Sequence, residues 1–228
     1  MAKFEKNGSL FSFQKMIEEI YGLPDDRLFS LSDLVSNQER FTMRALKGIR
    51  KNDMRKLKLN LLISLSWAMA ISNRLHINIE EIVWQRFPLV CSYCGKKPCA
   101  CKKIKVANRK KPRANGKIKP KSIIELQKMF GEIYPSSSRS LSDAGVHLAE
   151  ETGELTEIVH TFLGEHKNSL FGELKNEMAD CISCFFGVAN SAGIDISIEL
   201  SKMYKNNCHV CHKSPCACNF SFISRFES

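Results

Sequence analysis

The sequence has no run of 18 or more apolar residues, so it predicts no transmembrane helix. Its first residues, Met-Ala-Lys-Phe-Glu-Lys-Asn-Gly, lack the apolar core of a signal peptide, and we expect a cytoplasmic protein with no membrane partner. Apolar and polar residues nowhere alternate for more than a few positions, which argues against β-strands. The 228 residues are 43% apolar and 25% charged, as in globular proteins of one large or two small domains.

Acidic and aromatic residues are missing from the middle of the chain. Residues 102–121 carry ten basic side chains, and two prolines and one glycine oppose a helix there. This composition predicts a linker that can also contact nucleic acid weakly through the phosphates. The flanking regions differ in charge, with a net charge of +6 for residues 1–101 and −6 for residues 122–228.

The chain contains an internal repeat of about 100 residues. The segment Phe13-Gln-Lys-Met-Ile resembles Leu126-Gln-Lys-Met-Phe, and Ser30-Leu-Ser-Asp33 recurs as Ser140-Leu-Ser-Asp143. Each copy has apolar residues at helical spacing, and Pro24 is expected to end the first helix. The predicted helices cover about 10–21, 30–50, 52–74, 78–86, 122–134, 140–164, 169–191 and 195–205.

Ten cysteines in a chain without an export signal should be mostly reduced, which favours metal sites over disulfides. Eight of them form two Cys-x-x-Cys-x4-Cys-x-Cys clusters, and each cluster can surround one structural Zn²⁺. An iron–sulfur cluster is a weaker alternative. Cys181 and Cys184 lie on the apolar side of a predicted helix and are interpreted as small buried hydrophobic residues. The predicted zinc ligands are Cys91, Cys94, Cys99, Cys101, Cys208, Cys211, Cys216 and Cys218.

Acidic residues concentrate on two predicted helices of the second copy. Glu151 and Glu154 are three positions apart, as are Glu177 and Asp180, so each pair shares one face of its helix. Repulsion at this spacing is costly beside apolar residues unless a cation compensates it. Oxygen ligands suit Mg²⁺ or Mn²⁺. Glutamates on the solvated face of an amphipathic helix are the alternative, but two such pairs on consecutive helices favour a metal site.

These two pairs, with 22 residues between them, resemble the signature of the MazG-like family of all-α nucleoside triphosphate pyrophosphohydrolases. The neighbouring letters, Leu-Ala-Glu-Glu-Thr-Gly-Glu-Leu and Asn-Glu-Met-Ala-Asp, are also similar, and the resemblance covers about residues 122–205. It implies Mg²⁺-dependent cleavage of the α–β phosphoanhydride of an NTP or dNTP, which yields a nucleoside monophosphate and pyrophosphate. The implied roles are metal binding by Glu151, Glu154, Glu177 and Asp180, general base for Glu150, and leaving-group stabilisation by Lys175.

The first copy lacks this acidic set. Aligned on the cysteines, Lys56, Asn60 and Ile63 occupy the positions of Glu173, Glu177 and Asp180. Aligned on Ser-Leu-Ser-Asp, residues 40–44 match residues 150–154, although a two-residue shift would pair Glu39 with Glu151. The first copy has a basic row instead, which is either a solvated face or a phosphate-binding surface. Its candidate phosphate ligands are Arg40, Arg44 and Lys47.

Together these features predict an all-α fold in which two tandem MazG-like units pack as a pseudo-dimeric helix bundle, each followed by a four-cysteine zinc knuckle. The resemblance also allows a homodimer of whole chains. A competing hypothesis is a zinc-stabilised basic helical protein that binds nucleic acid or a protein partner and whose acidic cluster is vestigial. The expected segments are a degenerate unit (1–90), a zinc module (91–101), the linker (102–121), the catalytic unit (122–205), and a second zinc module with the tail (206–228).

Overall fold

The computed structural model describes residues 1–104, 107–110 and 112–226 of the chain. These residues form nine α-helices and none of them lies in a strand, which confirms the predicted all-α fold. Lys105, Val106 and Lys111 of the predicted linker, and Glu227 and Ser228 of the tail, lie outside the described residues. The helices are α1 (Leu10–Leu28), α2 (Leu31–Arg50), α3 (Met54–Arg74), α4 (Ile79–Arg86), α5 (Ile123–Ile133), α6 (Leu141–Glu165), α7 (Asn168–Ala192), α8 (Ile196–Met203) and α9 (Phe220–Arg225).

The two copies begin their second helices with the same cap. The hydroxyl of Ser30 accepts a hydrogen bond from the backbone N–H of Asp33, whose carboxylate accepts one from the N–H of Ser30. Ser140 and Asp143 repeat this capping box 110 positions later, at the start of α6. Such caps satisfy backbone donors that a helix leaves unpaired, which is why the predicted starts of these helices agree with the structure.

A buried glutamine holds each copy together in the same way. The side-chain amide of Gln14 donates to the carbonyl of Ile77 (2.7 Å) and to Oδ1 of Asn73 (2.9 Å), and its oxygen accepts from the N–H of Ile79 (3.1 Å). Gln127 makes the same three bonds in the second copy, which supports duplication of one unit. Its partners are Asn190, Ile194 and Ile196.

Helices α2, α3, α6 and α7 form a four-helix core in which α2 packs on α6 and α3 packs on α7. The hydroxyls of Thr42 and Thr152, equivalent residues of the two copies, lie 3.5 Å apart on the pseudo-two-fold axis. Gly145 permits a close approach, because a Cβ there would lie 2.5 Å from Cδ1 of Ile49. The two copies therefore pack as the predicted pseudo-dimer. None of the helices in the described ranges is, taken singly, long and apolar enough to cross a membrane.

Each cysteine cluster docks on the copy to which it does not belong. The N–H of Cys99, which follows the first copy, donates to the carbonyl of Ile133 at the end of α5 (2.8 Å). The N–H of Cys216, which follows the second copy, donates to the carbonyl of Ile20 in α1 (2.7 Å). Helix α4, which is tied to α1 of its own copy through Gln14, also packs against α7 of the other copy. The copies are thus interlocked rather than merely adjacent.

Pro24 does not end the first helix, so that prediction is wrong. Helix α1 continues through Pro24 to Leu28. Proline has no N–H for the carbonyl four residues earlier, which is that of Ile20. In this structure the N–H of Cys216 supplies the missing donor, so the proline frees a carbonyl that the second cysteine cluster then uses.

Replacing Gln14 by leucine should destabilise the protein by about 1–3 kcal/mol, because the buried N–H of Ile79 and carbonyl of Ile77 lose their partner. Denaturant unfolding followed by circular dichroism measures this change. Gln85→Leu is the matched control, since Gln85 is exposed and bonds only the side chain of Glu81. Equal stability of the two variants would contradict the role of the buried amide.

Candidate functional site

Three of the four predicted metal-binding carboxylates meet between α6 and α7. One oxygen from each of Glu151, Glu177 and Asp180 lies within 4.8 Å of the other two. Helical spacing places Glu177 and Asp180 on the same face of α7, and the antiparallel packing of α6 brings Glu151 to them. Glu154 lies outside this group and is exposed, but its carboxyl is hydrogen-bonded to that of Glu177. The three grouped residues are called the acidic cluster below.

Cations of the protein compensate the acidic cluster. Arg86, at the end of α4 in the first copy, pairs with both oxygens of Asp180, with Nε 3.0 Å from Oδ1. Arg109 of the linker places Nη1 3.5 Å from the same carboxylate. His147 places Nε2 3.2 Å from Oε1 of Glu151. The side chains that compensate the acidic cluster therefore come from three separate segments of the chain.

Burial and mutual repulsion weaken the acidity of these carboxyls. Burial first, and then the charges of Asp180, Glu151 and Glu154, raise the pKa of Glu177 to about 7. Burial also raises the pKa of Asp180, although Arg86 opposes this shift. Hydrogen bonds to the thiol of Cys184 and to Glu151 raise the pKa of His147 to about 10.

One oxygen of the cluster is left without a partner. Oε2 of Glu151 is buried, and no group in the described part of the chain donates a hydrogen bond to it. Leaving a buried carboxylate oxygen unpaired is costly. The three carboxylates of the cluster could hold a metal ion, which would satisfy this oxygen.

The remaining predicted site residues lie around the cluster or away from it. Glu150 is exposed on α6. Lys175 lies with Nζ 4.4 Å from the ring centre of Phe171. Arg40 donates to two carbonyls of the tail helix α9, and Arg44 donates to the carbonyl of Phe226 (2.5 Å). Lys47 is exposed. Among the described residues, no carboxylate forms an ion pair with Arg40, Arg44 or Lys47.

The equivalent place in the first copy is uncharged, with Asn60 at the position of Glu177. The shared capping boxes and the Thr42–Thr152 contact fix the alignment of α2 with α6, so Phe41, and not Glu39, is the counterpart of Glu151. Ile63 is the counterpart of Asp180, 117 positions earlier. The tail covers this place and sets the ring of Phe226 6.3 Å from that of Phe41. The first copy therefore lacks the acidic set, as the sequence predicts.

The two cysteine clusters have the geometry of tetrahedral metal sites. Zn–S bonds of about 2.3 Å place neighbouring sulfurs about 3.8 Å apart. The Sγ–Sγ distances include 3.7 Å for Cys91–Cys101, 4.0 Å for Cys94–Cys99, 3.9 Å for Cys208–Cys218, 3.7 Å for Cys211–Cys216 and 3.5 Å for Cys208–Cys216. All ten cysteines are free thiols, and each cluster of four could hold one metal ion.

No family model, curated protein or solved structure matches this chain. The chemistry of the site must therefore be argued from its own residues.

Sequence reasoning missed Arg86 and Arg109 as members of the site. Comparing the two copies at the 117-residue offset offers a signal for both, because Arg86 corresponds to Met203 and Arg109 to Phe226. Cations thus follow the first copy where apolar residues follow the second. The segments that follow the first copy pack on the second copy, which brings Arg86 and Arg109 to the acidic cluster. The segments that follow the second copy place Phe226 against Phe41 of the first copy and Met203 against the core.

We predict that the protein without added divalent ions becomes less stable as the pH rises from about 5 to about 8. The pKa of Glu177 in the fold, about 7, lies above its ordinary value of 4.5, so the fold favours the protonated carboxyl. Its contribution is fully present below pH 4.5 and is lost as the pH rises through about 7.

Glu177→Gln keeps a neutral side chain at every pH and should flatten this dependence, which thermal unfolding over the pH range measures. Glu165→Gln, an exposed change at the end of α6, should retain the wild-type slope. Identical slopes for wild type and Glu177→Gln would show that repulsion at the cluster does not limit stability.

Proposed function

We propose that this protein is a Mg²⁺-dependent nucleoside triphosphate pyrophosphohydrolase, with Mn²⁺ as an alternative ion. The convergence of Glu151, Glu177 and Asp180, with a buried oxygen of Glu151 unpaired, carries the proposal. The resemblance of residues 122–205 to the MazG-like family agrees with it, because the same acidic residues form the signature of that family. In this proposal the second copy supplies the ion-binding carboxylates, and the first copy and the linker supply cations.

Glu151, Glu177 and Asp180 would hold the ion, with Glu154 beside Glu177. When bound, Mg²⁺ neutralises charge on the phosphates and acidifies a bound water. A carboxylate offers about four lone-pair positions, so Asp180 can keep its pair with Arg86 while it contributes an oxygen to the ion. Arg86 thereby holds Asp180 in position.

Arg109 is suited to meet the phosphate chain of the substrate. Its side chain is 43% exposed and its contact with Asp180 is longer than that of Arg86, so a phosphate oxygen can replace the carboxylate as its partner. Glu150 is exposed on the same helix as Glu151 and is the proposed general base. Lys175 would stabilise the leaving group after its side chain rotates away from Phe171.

The cysteine clusters would each hold a structural Zn²⁺. All four ligands in each cluster are thiolates, so no position remains for a reacting water. Backbone N–H groups also point at the sulfurs, such as those of Tyr93 at Cys91 and of Val210 at Cys208, both at 3.4 Å. Since each cluster docks on the opposite copy, zinc would fix the position of α4, and with it Arg86, relative to α7.

Glu154→Gln and Glu177→Gln should each lower turnover by about 100-fold or more while the fold is retained. The assay incubates the protein with each NTP and dNTP in turn and Mg²⁺, and it measures pyrophosphate and nucleoside monophosphate. Glu165→Gln removes the same charge from the end of α6 and should leave turnover unchanged. Wild-type turnover in both cluster variants would remove this site assignment.

We expect two zinc ions per chain by elemental analysis of freshly purified, reduced protein. Cys94→Ser and Cys211→Ser should each lower the content to about one ion, because each cluster then has only three thiolates. Cys184→Ser is the control, since its thiol belongs to neither cluster and should leave two ions bound. A zinc-free, folded wild-type protein would contradict the assignment.

The competing function is that of a basic, zinc-stabilised protein that binds nucleic acid and no longer hydrolyses nucleotides. The specific observation in its favour is that Arg86, Arg109 and His147 already compensate the acidic cluster. No product from any nucleotide with either Mg²⁺ or Mn²⁺, together with oligonucleotide binding that Glu177→Gln leaves unchanged, would favour this function over hydrolysis.

A further inference from the structure

A basic groove lies where α2 ends and α3 begins in the first copy. It encloses about 350 Å³ and one acidic side chain, that of Asp53, borders it. The carboxylate of Asp53 accepts the N–H of Lys56 as the cap of α3, so it already has a partner. The lining residues are Arg44, Lys47, Gly48, Lys51, Asp53, Lys56 and Asn60.

The helices bring the cations of this groove together. Arg44, Lys47 and Lys51 recur at intervals of three and four residues, so they form one row along α2, about 10 Å long at 1.5 Å per residue. Gly48 lets α3 approach closely, because a Cβ there would lie 2.6 Å from the backbone nitrogen of Leu57. The close approach of the two helices makes the surface concave. A basic face that is only solvated would not require such a groove.

The groove is the charge-reversed counterpart of the acidic face in the second copy. At equivalent helical positions, basic residues of the first copy replace glutamates of the second, and the amide of Asn60 replaces the carboxylate of Glu177. A ligand of opposite charge is therefore expected in each copy. The equivalent pairs are Arg44 and Glu154, Lys47 and Glu157, Lys56 and Glu173, and Asn60 and Glu177.

In the described part of the chain, the lysines of the groove have no carboxylate partner. Within residues 1–104, 107–110 and 112–226, no carboxylate forms an ion pair with Lys47, Lys51 or Lys56. Arg44 uses one nitrogen for the carbonyl of Phe226 and has further donors left. Like charges gathered in one groove oppose folding, and a bound anion relieves that repulsion.

The lining identifies the class of ligand. Among the described residues, no aromatic side chain lines the groove, so the lining itself offers no surface on which a base could stack. Lysine ammonium groups and an arginine suit the compact charges of phosphate oxygens. A row of cations along α2 suits several phosphates in a chain better than one isolated anion.

We propose that this groove is a second ligand site, which binds the phosphate chain of a nucleotide or of a nucleic acid independently of the acidic cluster. The inference does not rest on hydrolysis, because it concerns residues of the other copy and requires no divalent ion.

Inorganic tripolyphosphate, titrated calorimetrically into the full chain at low salt without added divalent ions, tests the proposal. The double variant Lys47→Glu/Lys56→Glu should bind about tenfold more weakly or worse. Lys205→Glu, an exposed change outside the groove, should bind as the wild type does. Circular dichroism and zinc content verify that the variants are folded.

Competition then identifies the source of the phosphates. Displacement of tripolyphosphate by ATP alone supports a nucleotide site, and displacement by a single-stranded oligonucleotide supports a nucleic-acid site. The proposal is overturned if the wild type does not bind tripolyphosphate, if neither competitor displaces it, or if Lys205→Glu weakens binding as much as the double variant does.

Discussion

The structure depends on an exchange of parts between its two copies. The carbonyls of Ile20 and Ile133 each receive an N–H from the cysteine cluster of the other copy, and α4 crosses to α7. This exchange carries Arg86 from the first copy to Asp180 of the second. The acidic cluster is consequently a composite of both copies, and the packing that stabilises the bundle also determines the electrostatics of the site.

After duplication, the two equivalent places diverged as whole environments. Where the second copy has Asp180 with Arg86 and Arg109 beside it, the first has Ile63, and the matching segments carry Met203 and Phe226. A single change of this kind would leave a charge facing apolar groups, which is strongly unfavourable in a buried place. The differences are consistent within each copy, which indicates that the residues at Asp180 and at Ile63 changed together with the segments that pack on them.

Much of the fold follows from local sequence, but the composition of the site does not. Caps such as Ser30 and Ser140 mark helix starts, and the three-residue spacing of Glu177 and Asp180 places them on one face. Pro24 misleads because the donor that replaces its missing N–H lies 192 positions further along the chain, on Cys216. Local pattern also cannot reveal that Arg86 pairs with a residue 94 positions away. These contacts depend on tertiary packing. The signal for them in the sequence is the comparison of the two copies.

The interlocked arrangement has a consequence for how the halves depend on each other. The first cysteine cluster is synthesised before α5, on which it docks. The end of the first copy therefore cannot pack until α5 of the second copy has been made. These contacts between the halves do not depend on the peptide bonds of the linker, so we expect the halves to stay associated after a cut there. The two halves are therefore joined mainly by the packing of each end segment on the opposite half, and less by the covalent linker.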